Sequence, residues 1–344
     1  MLVIGIETSC DETAVALVED GVRVRSNVIG SQVDRHRPYG GVVPEIAARA
    51  HLELLLPALD RALVEGGATY DDLDAVAVTA GPGLVGALLV GVAGAKALAL
   101  AHDLPLIGVN HLEGHLCATQ LEFGPLTPPL MGLIVSGGHT SLVLLNADGT
   151  FVTVGATLDD AAGEAFDKVA RFLGLPYPGG PEIDRLAISG DPAAIAFPRA
   201  LLHDGTYDFS LSGLKSAVVR ELRRREAKGE EIDLADVAAS FQEALVEVSV
   251  RKTVAAAQAY GVERVTVVGG VAANSRLRAA MADACRVAGL QLLIPSPALC
   301  TDNGAMIAAA GWNRLVAGER SPLDLAADPG LGMTPVPAPP AGPA

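Results

Sequence analysis

Aromatic side chains are scarce: seven Phe, five Tyr and one Trp make 4% of a chain that is 50% hydrophobic, so the core has to be built mostly from Ala, Val and Leu. Cysteine is equally sparse. Cys10, Cys117, Cys285 and Cys300 show no C-x-x-C spacing and stand among apolar neighbours, the usage of reduced thiols in a cytosolic protein. No G-x-x-x-x-G-K-[ST] sequence occurs, which excludes a P-loop NTPase. A basic n-region followed by an apolar core is missing at the start, so a secretory signal is not expected. The one long apolar run, Leu84 to Ala101, is interrupted by Lys96 and closed by His102-Asp103 at bare membrane-spanning length, and reads as a buried helix. Positive charge is also short. With 25 Lys and Arg against 40 Asp and Glu, the net charge of −15 argues against a protein that coats nucleic acid on its own surface. Arg220 to Lys228 is the local exception, open to two readings: a basic patch, or a solvated helix face with salt-bridge spacing.

At 344 residues the chain is long for one core and suits two domains. Its most informative motif is His111-Leu112-Glu113-Gly114-His115. Leu104 to Val109 reads as a short buried strand, and Asn110 with Glu113 as an N-cap and capping box, so this motif opens a helix that follows a strand. The i, i+4 spacing then puts both imidazoles on one helix face, about 5–6 Å apart at Cβ. Glu113 is two residues from each histidine, about 200° round the helix, and points away. The base of an H-E-x-x-H peptidase is therefore missing. Alone, the pair reads equally well as part of an ordinary amphipathic face. Cys300 to Met306, however, also follows a short strand (Leu290 to Ile294) and opens a helix, presenting Asp302 at the same kind of position. His111, His115 and Asp302 together would leave coordination positions open for a substrate, as a catalytic metal site requires.

The order of elements repeats. Leu2 to Thr8, Thr13 to Glu19 and Val22 to Ile29 read as three strands joined by tight polar turns, followed by a helix (about Pro44 to Val64), a strand (Ala75 to Thr79), a Gly-rich helix, a strand (Leu106 to Val109) and the His helix. Near Leu130 the order recurs, with strands at Met131 to Val135, Ser141 to Asn146, Phe151 to Ala156, Arg264 to Val268 and near Leu292. Three antiparallel strands and two parallel ones form the pattern of a ribonuclease-H-like unit. Its duplication resembles the actin, sugar kinase and heat-shock ATPase superfamily, an α/β fold with the active site between the halves. The expected division is 1–128, joined by a C-terminal helix at 303–325, and 129–302, with a disordered Pro-rich tail at 334–344.

In each half the turn after the first strand can offer backbone N–H groups to phosphate: Thr8 to Glu12, and Ser136-Gly137-Gly138-His139-Thr140, where glycines permit close approach and φ > 0. Gly269 to Asn274, after a buried strand, resembles a loop on which adenine and ribose pack, with Asn274 as a polar contact.

Gly5-Ile6-Glu7-Thr8-Ser9-Cys10-Asp11-Glu12-Thr13, Thr79 to Leu84, His111 to His115, Val135 to Thr140, Gly163 to Lys168, Tyr177 to Pro181, Phe209 to Lys215, Gly269 to Asn274 and Thr301 to Met306 occur in one order. In that series the chain resembles the TsaD family, the catalytic subunits of bacterial tRNA N6-adenosine threonylcarbamoyltransferase, formerly called O-sialoglycoprotein endopeptidases. The resemblance implies transfer of threonylcarbamoyl from threonylcarbamoyl-AMP, made by a separate synthase, to N6 of adenosine 37 in tRNAs reading codons that begin with A, with release of AMP. It implies one divalent metal, iron (Fe2+) before zinc, held by His111, His115 and Asp302. It also implies an adenylate site lined by Ile134, Val135, Ser136, Gly137, Gly138, Asp167, Gly180, Asp184 and Asn274. Asp11, Glu12 and His139 are candidates to take a proton or orient the amine; Asp11 and His139 read equally, and Glu12 less so, as turn residues that stabilise hairpins. The implied partners are tRNA, a TsaB-like paralogue and a TsaE-like P-loop ATPase, in the cytoplasm and without a membrane. The Leu52 to Leu63 stripe and the Gly86, Gly91, Gly94 face carry more apolar and small residues than one sheet needs, and are expected to meet the paralogue. A metalloprotease and an ATP-hydrolysing chaperone or sugar kinase of the same fold are the alternatives.

Overall fold

The computed structural model describes residues 1–335. They form two compact units, Met1–Leu126 with Ala298–Met333, and Thr127–Pro297 with the residues from Thr334. Residues 298–302, which the sequence pattern groups with the second half, thus belong to the first unit, and Asp302 with them.

The first unit runs β1 (Leu2–Glu7), β2 (Glu12–Glu19), β3 (Arg23–Ser31), α1 (Val33–His36), α2 (Pro44–Gly66), β4 (Ala75–Gly81), α3 (Val85–Ala101), β5 (Leu106–Asn110), α4 (His111–Cys117) and α5 (Gln120–Phe123). Its sheet has the order β3-β2-β1-β4-β5. The β1/β2 and β2/β3 pairs are antiparallel, β1/β4 and β4/β5 parallel. Every residue of β1 is buried, because helices cover the sheet on both faces, and the strand therefore reads as a continuous apolar run. Alternate side chains serve the two faces. Ile4 and Ile6 join Val15, Leu17, Leu55, Leu59 and Val92 in the core cluster beneath α2 and α3. A Cβ on Gly5 would lie 2.4 Å from the backbone nitrogen of Ala308, so glycine here lets a late helix sit directly on the strand.

The three glycines of α3 do not face outward. A Cβ on Gly91 would meet Thr8 Oγ1 at 2.2 Å, one on Gly94 Leu55 Cδ2 at 2.6 Å, and one on Gly86 the Ala48 Cβ at 3.1 Å. They are used inside the unit, where α3 packs on α2 and on the end of β1, which corrects the reading of this face as a contact for another protein. Helical spacing was right for α2, but its stripe divides: Leu55, Leu59 and Leu63 are buried, while Leu52 and Leu56 are 67% and 68% exposed.

The second unit continues with β6 (Leu130–Val135), β7 (Thr140–Leu145), β8 (Phe151–Ala156), α6 (Ala162–Phe172), α7 (Gly179–Ala187), α8 (Ser212–Lys228), α9 (Leu234–Ala259), β9 (Arg264–Val268), α10 (Ser275–Ala288) and β10 (Gln291–Leu293). Its sheet, β10-β9-β6-β7-β8 with β11 (Thr334–Pro335) beside β8, repeats the first strand for strand and adds that short parallel edge. Then α11 (Pro297–Cys300) and α12 (Gly304–Val316) follow, α12 being the late helix on β1. Of the tail expected to be disordered, 336–344 lie outside the described residues. No helix among the described residues is long and apolar enough to cross a membrane.

Candidate metal centre

Asn110 ends β5 and caps α4, its Oδ1 accepting from the backbone N–H groups of Leu112 (2.9 Å) and Glu113 (3.4 Å). Glu113 does not complete a capping box; its carboxylate pairs with Arg314 of α12 instead. The seven residues of α4 are all buried, and the i, i+4 spacing sets the two imidazoles edge to face with ring centres 4.7 Å apart. Asp302 precedes Asn303, whose side chain caps α12 by accepting from Met306 N–H at 3.0 Å. One Asp302 oxygen, Oδ1, lies 3.1 Å from His115 Nε2 and 3.7 Å from His111 Nε2. A ligand atom from each of the three residues lies within 4.8 Å of the others.

The surroundings of the histidines suit a cation. His111 Nδ1 is 2.9 Å from Glu7 Oε2 and 3.2 Å from Ser9 Oγ. Because a carboxylate only accepts, Nδ1 carries a proton toward Glu7, and in the neutral ring the Nε2 lone pair lies on the side of Asp302, the carboxylate–histidine pattern of metal sites. Glu7 is itself held by Thr79 Oγ1, which donates at 2.6 Å, and by the Ser9 backbone N–H. Burial opposes the charged form of His111, but Glu7 and Asp302 outweigh it and push the imidazole up to about 9. Burial likewise opposes the Glu7 carboxylate, while the His111 charge and hydrogen bond hold it below its ordinary range. His115 is fully buried, and neither ring nitrogen has a hydrogen-bond partner among the described residues. Nδ1 has no hydrogen-bond partner there, and Nε2 has only the 3.1 Å approach of Asp302 Oδ1; a buried polar group left without a hydrogen bond costs about 1–3 kcal/mol, and a metal bound at His115 removes part of that cost. Two imidazoles and one carboxylate also form the donor set of non-haem iron sites with open positions. The residues therefore fit a divalent ion.

Asp11 lies in the turn before β2 and Glu12 opens the strand; the turn backbone is held by His51 Nε2 donating to Cys10 O at 2.9 Å and by Leu84 N–H donating to Ser9 O at 2.8 Å. The Ser9 N–H, one of those expected to be offered to phosphate, is engaged by Glu7. Burial first, then Asp11 and Asp302, push Glu12 up to about 9.

In the second unit, Ser136 closes its own turn: its N–H donates to His139 O at 2.8 Å and its Oγ accepts from His139 N–H at 3.2 Å. Gly137 and Gly138 do not have positive φ; what they provide is open space, since a Cβ on either would meet nothing within 4 Å. Positive φ occurs instead at Gly269 (93°), where a Cβ would also strike Val135 O at 2.4 Å. Gly180 is likewise open. Ile134 and Val135 are fully buried strand residues, so only their main chain could meet a ligand. Asp167 accepts from Gly179 N–H at 2.7 Å. Asn274 Nδ2 donates to Gln242 Oε1 (2.7 Å) and Asp184 Oδ1 (3.1 Å), and Asp184 also accepts from Ser275 N–H and Oγ. Asp184 and Asn274 are thus brought together, with Gln242 as a buried member that sequence reasoning missed. Its one signal was a polar residue inside the apolar run of α9. Glu7, a lone charge at the end of an apolar strand, and Arg314 were missed as partners of the histidine motif.

Two ribonuclease-H-like units and a buried two-histidine, one-carboxylate group define a protein of the actin-like fold with a candidate metal centre. Solved structures share the fold: HypF from T. kodakarensis superposes with a TM-score of 0.60 at 15% identity over 92% of this chain and 48% of that one. The activator of 2-hydroxyisocaproyl-CoA dehydratase from Clostridium difficile gives 0.54 at 15% identity, over 92% and 97%. The family model "TsaD: tRNA N6-adenosine threonylcarbamoyltransferase" matches residues 23–309. Proteins named tRNA N6-adenosine threonylcarbamoyltransferase are 57% identical in Geobacillus thermodenitrificans and 53% identical in Clostridium botulinum, covering 96% of this chain in both cases and 96% and 97% of the relatives. The chain belongs to the TsaD family, and its activity is transfer of a threonylcarbamoyl group to N6 of adenosine in tRNA. Neither alternative is favoured. The engagement of Glu113 by Arg314 removes the peptidase base from the histidine face.

Proposed function

We propose that the donor is threonylcarbamoyl-AMP and the acceptor adenosine 37 of tRNAs that read codons beginning with A, and that His111, His115 and Asp302 hold one divalent metal, Fe2+ before Zn2+. The observation that carries the metal assignment is the buried His115, which makes no hydrogen bond among the described residues and whose Nε2 stands 3.1 Å from Asp302 Oδ1. When bound, the ion supplies Lewis acidity toward an oxygen of the acyl phosphate donor. In the reaction the N6 nitrogen bonds to the carbamoyl carbon, the carbon–oxygen bond to phosphate breaks, AMP leaves with that electron pair, and one N6 proton passes to a base. Burial, Asp11 and Asp302 push the Glu12 carboxyl up to about 9, and a divalent ion on Asp302 would oppose the last of these. Asp11, Glu12 and His139 are the candidates for the base. The Ser136 to Gly138 turn, Asp167, Gly180, Asp184 and Asn274, with the main chain of Ile134 and Val135, would receive the adenylate, and the space at Gly137, Gly138 and Gly180 supports that reading.

A TsaB-like paralogue is proposed to cover Leu52 and Leu56 of α2 with Val85 and Leu89 of α3, all more than half exposed, and a TsaE-like P-loop ATPase to join the pair. Transfer RNA would be held in part by α8, where Arg224 and Arg225 are paired with Glu221 and Arg224 also with Glu230. The reaction is assigned to the cytoplasm, in keeping with a tRNA substrate and four unbridged cysteines. The test is reconstitution with labelled threonine, bicarbonate, ATP, tRNA and an adenylate synthase, scored for modified nucleoside. Label in N6-modified adenosine that requires this chain and is lost in His111→Ala supports the reading; transfer unaffected by His111→Ala overturns the metal assignment.

A further inference from the structure

The glutamate inside the histidine motif is engaged at the opposite end of the chain. Glu113 and Arg314 are 201 residues apart, and the guanidinium grips the carboxylate as a fork, Nε at 3.1 and 3.2 Å from the two oxygens and Nη2 at 2.5 Å from Oε2. Glu113 is 6% exposed. A buried ion pair is weak as a source of stability, since desolvating both charges offsets most of their attraction. What a bidentate fork does supply is fixed orientation.

Orientation matters here because of what the two helices carry. The segment before α4 and α12 ends in a cap in each case, Asn110 and Asn303, and the ligands stand at or beside those caps. The helices are pressed together at Gly114, where a Cβ would meet Ile307 Cδ1 at 2.7 Å. Farther along α12, Asn313 Nδ2 donates to Gln120 Oε1 at 3.0 Å and to Cys117 Sγ at 3.4 Å. Apart from the fork, α4 and α12 are joined by the long side-chain hydrogen bond from Asn313 to Cys117 Sγ, so loss of the fork removes the main restraint on rotation of the short helix α4 at the glycine contact. A turn of about 20° moves an atom at the rim of a helix roughly 10–12 Å wide by about 2 Å, as long as a metal–nitrogen bond.

We propose that Glu113 and Arg314 are positioning residues for the metal centre: their pair fixes the rotation of α4 against α12 and thereby holds His111 and His115 at ligand distance from Asp302. This rests on the reading that these three residues bind the metal. The test is Zn2+ affinity of the full chain, measured by chelator competition, alongside urea unfolding. The paired substitution Glu113→Met with Arg314→Met replaces the charges by apolar side chains of similar length. It is expected to leave the unfolding midpoint unchanged or higher while Kd for Zn2+ rises about tenfold or more, the scale of outer-sphere substitutions; an unchanged Kd overturns the proposal. If that variant does not fold, Arg314→Lys decides, keeping the charge without the fork: a several-fold rise in Kd supports the proposal, and a wild-type Kd overturns it. His111→Ala separates the two ideas. Wild-type Zn2+ binding in that variant removes the metal assignment and the positioning role together, whereas lost binding there with an intact Kd in the Glu113 variants removes the positioning role alone.

Discussion

His115 Nε2 lies 3.1 Å from Asp302 Oδ1, yet no hydrogen bond satisfies either nitrogen of that fully buried ring among the described residues. A side chain so placed is a poor structural element and a good ligand. Metal should therefore stabilise the fold. With Zn2+ at about 100 times Kd the gain is about 2.7 kcal/mol, so a chelator is expected to lower the melting temperature of the wild type. In His115→Ala the same addition should do nothing, as read by calorimetry together with metal content; an equal chelator effect in both proteins would exclude this histidine as a ligand.

Glu7 fixes the His111 proton on Nδ1. Glu7→Gln can present its amide instead of its oxygen and gives up the negative charge, so metal affinity is expected to fall about 10–100-fold. Isothermal titration with Zn2+ checks this. Thr79→Val, which removes a donor from Glu7 rather than from the histidine, should have a smaller effect of the same sign.

Gly91 and Leu52 separate the interior of the first unit from its apolar exterior. Gly91→Arg has to push against Thr8, and even modest overpacking costs about 1–3 kcal/mol, so this variant should lose stability with or without a partner present. Leu52→Asp and Leu89→Asp act at residues 67% and 54% exposed. They should unfold at the wild-type denaturant concentration and fail to co-sediment with a TsaB-like paralogue; undiminished co-sedimentation would move the interface elsewhere.

Asp159 gives a pH signature away from the metal. Burial opposes its carboxylate, but hydrogen bonds from Ser210, Leu211 and Ser212 outweigh that and lower it to about 2. A carboxylate lowered on folding contributes stability above its unfolded value of about 3.9, and the contribution is lost as pH falls through the folded value. The stability difference between wild type and Asp159→Asn should thus be constant from pH 5 to pH 8 (roughly) and shrink toward pH 2. A difference that grows on acidification would reverse the sign and the explanation.

Much of the fold was legible because alternation and apolar runs are local. β1 and β6, buried on both faces, stand out as uninterrupted hydrophobic stretches, and their recurrence with the same neighbours announces a duplicated sheet. The two histidines were legible for the same reason, being four residues apart on one helix. Asp302 was legible as a helix-start carboxylate, though its unit was not, because residues 298–302 follow the second sheet in sequence and the first in contacts.

The sequence by itself determined the strand pattern, the paired imidazoles and the want of a peptidase base, since each depends on spacing within a few residues. Tertiary structure alone decided what fills the space around them. A glycine is equally compatible with a partner's helix and with Thr8, and only packing shows that Gly91 meets Thr8. A glutamate two residues from each histidine points away from them, but its partner Arg314 is 201 residues distant and carries no local signal. Asn274 caps α10 while its amide reaches Gln242 and Asp184, and those partners come from other helices, out of reach of any local pattern. Long-range contacts obey burial and hydrogen-bond satisfaction over the whole chain, and those conditions are met in three dimensions, where no spacing rule applies.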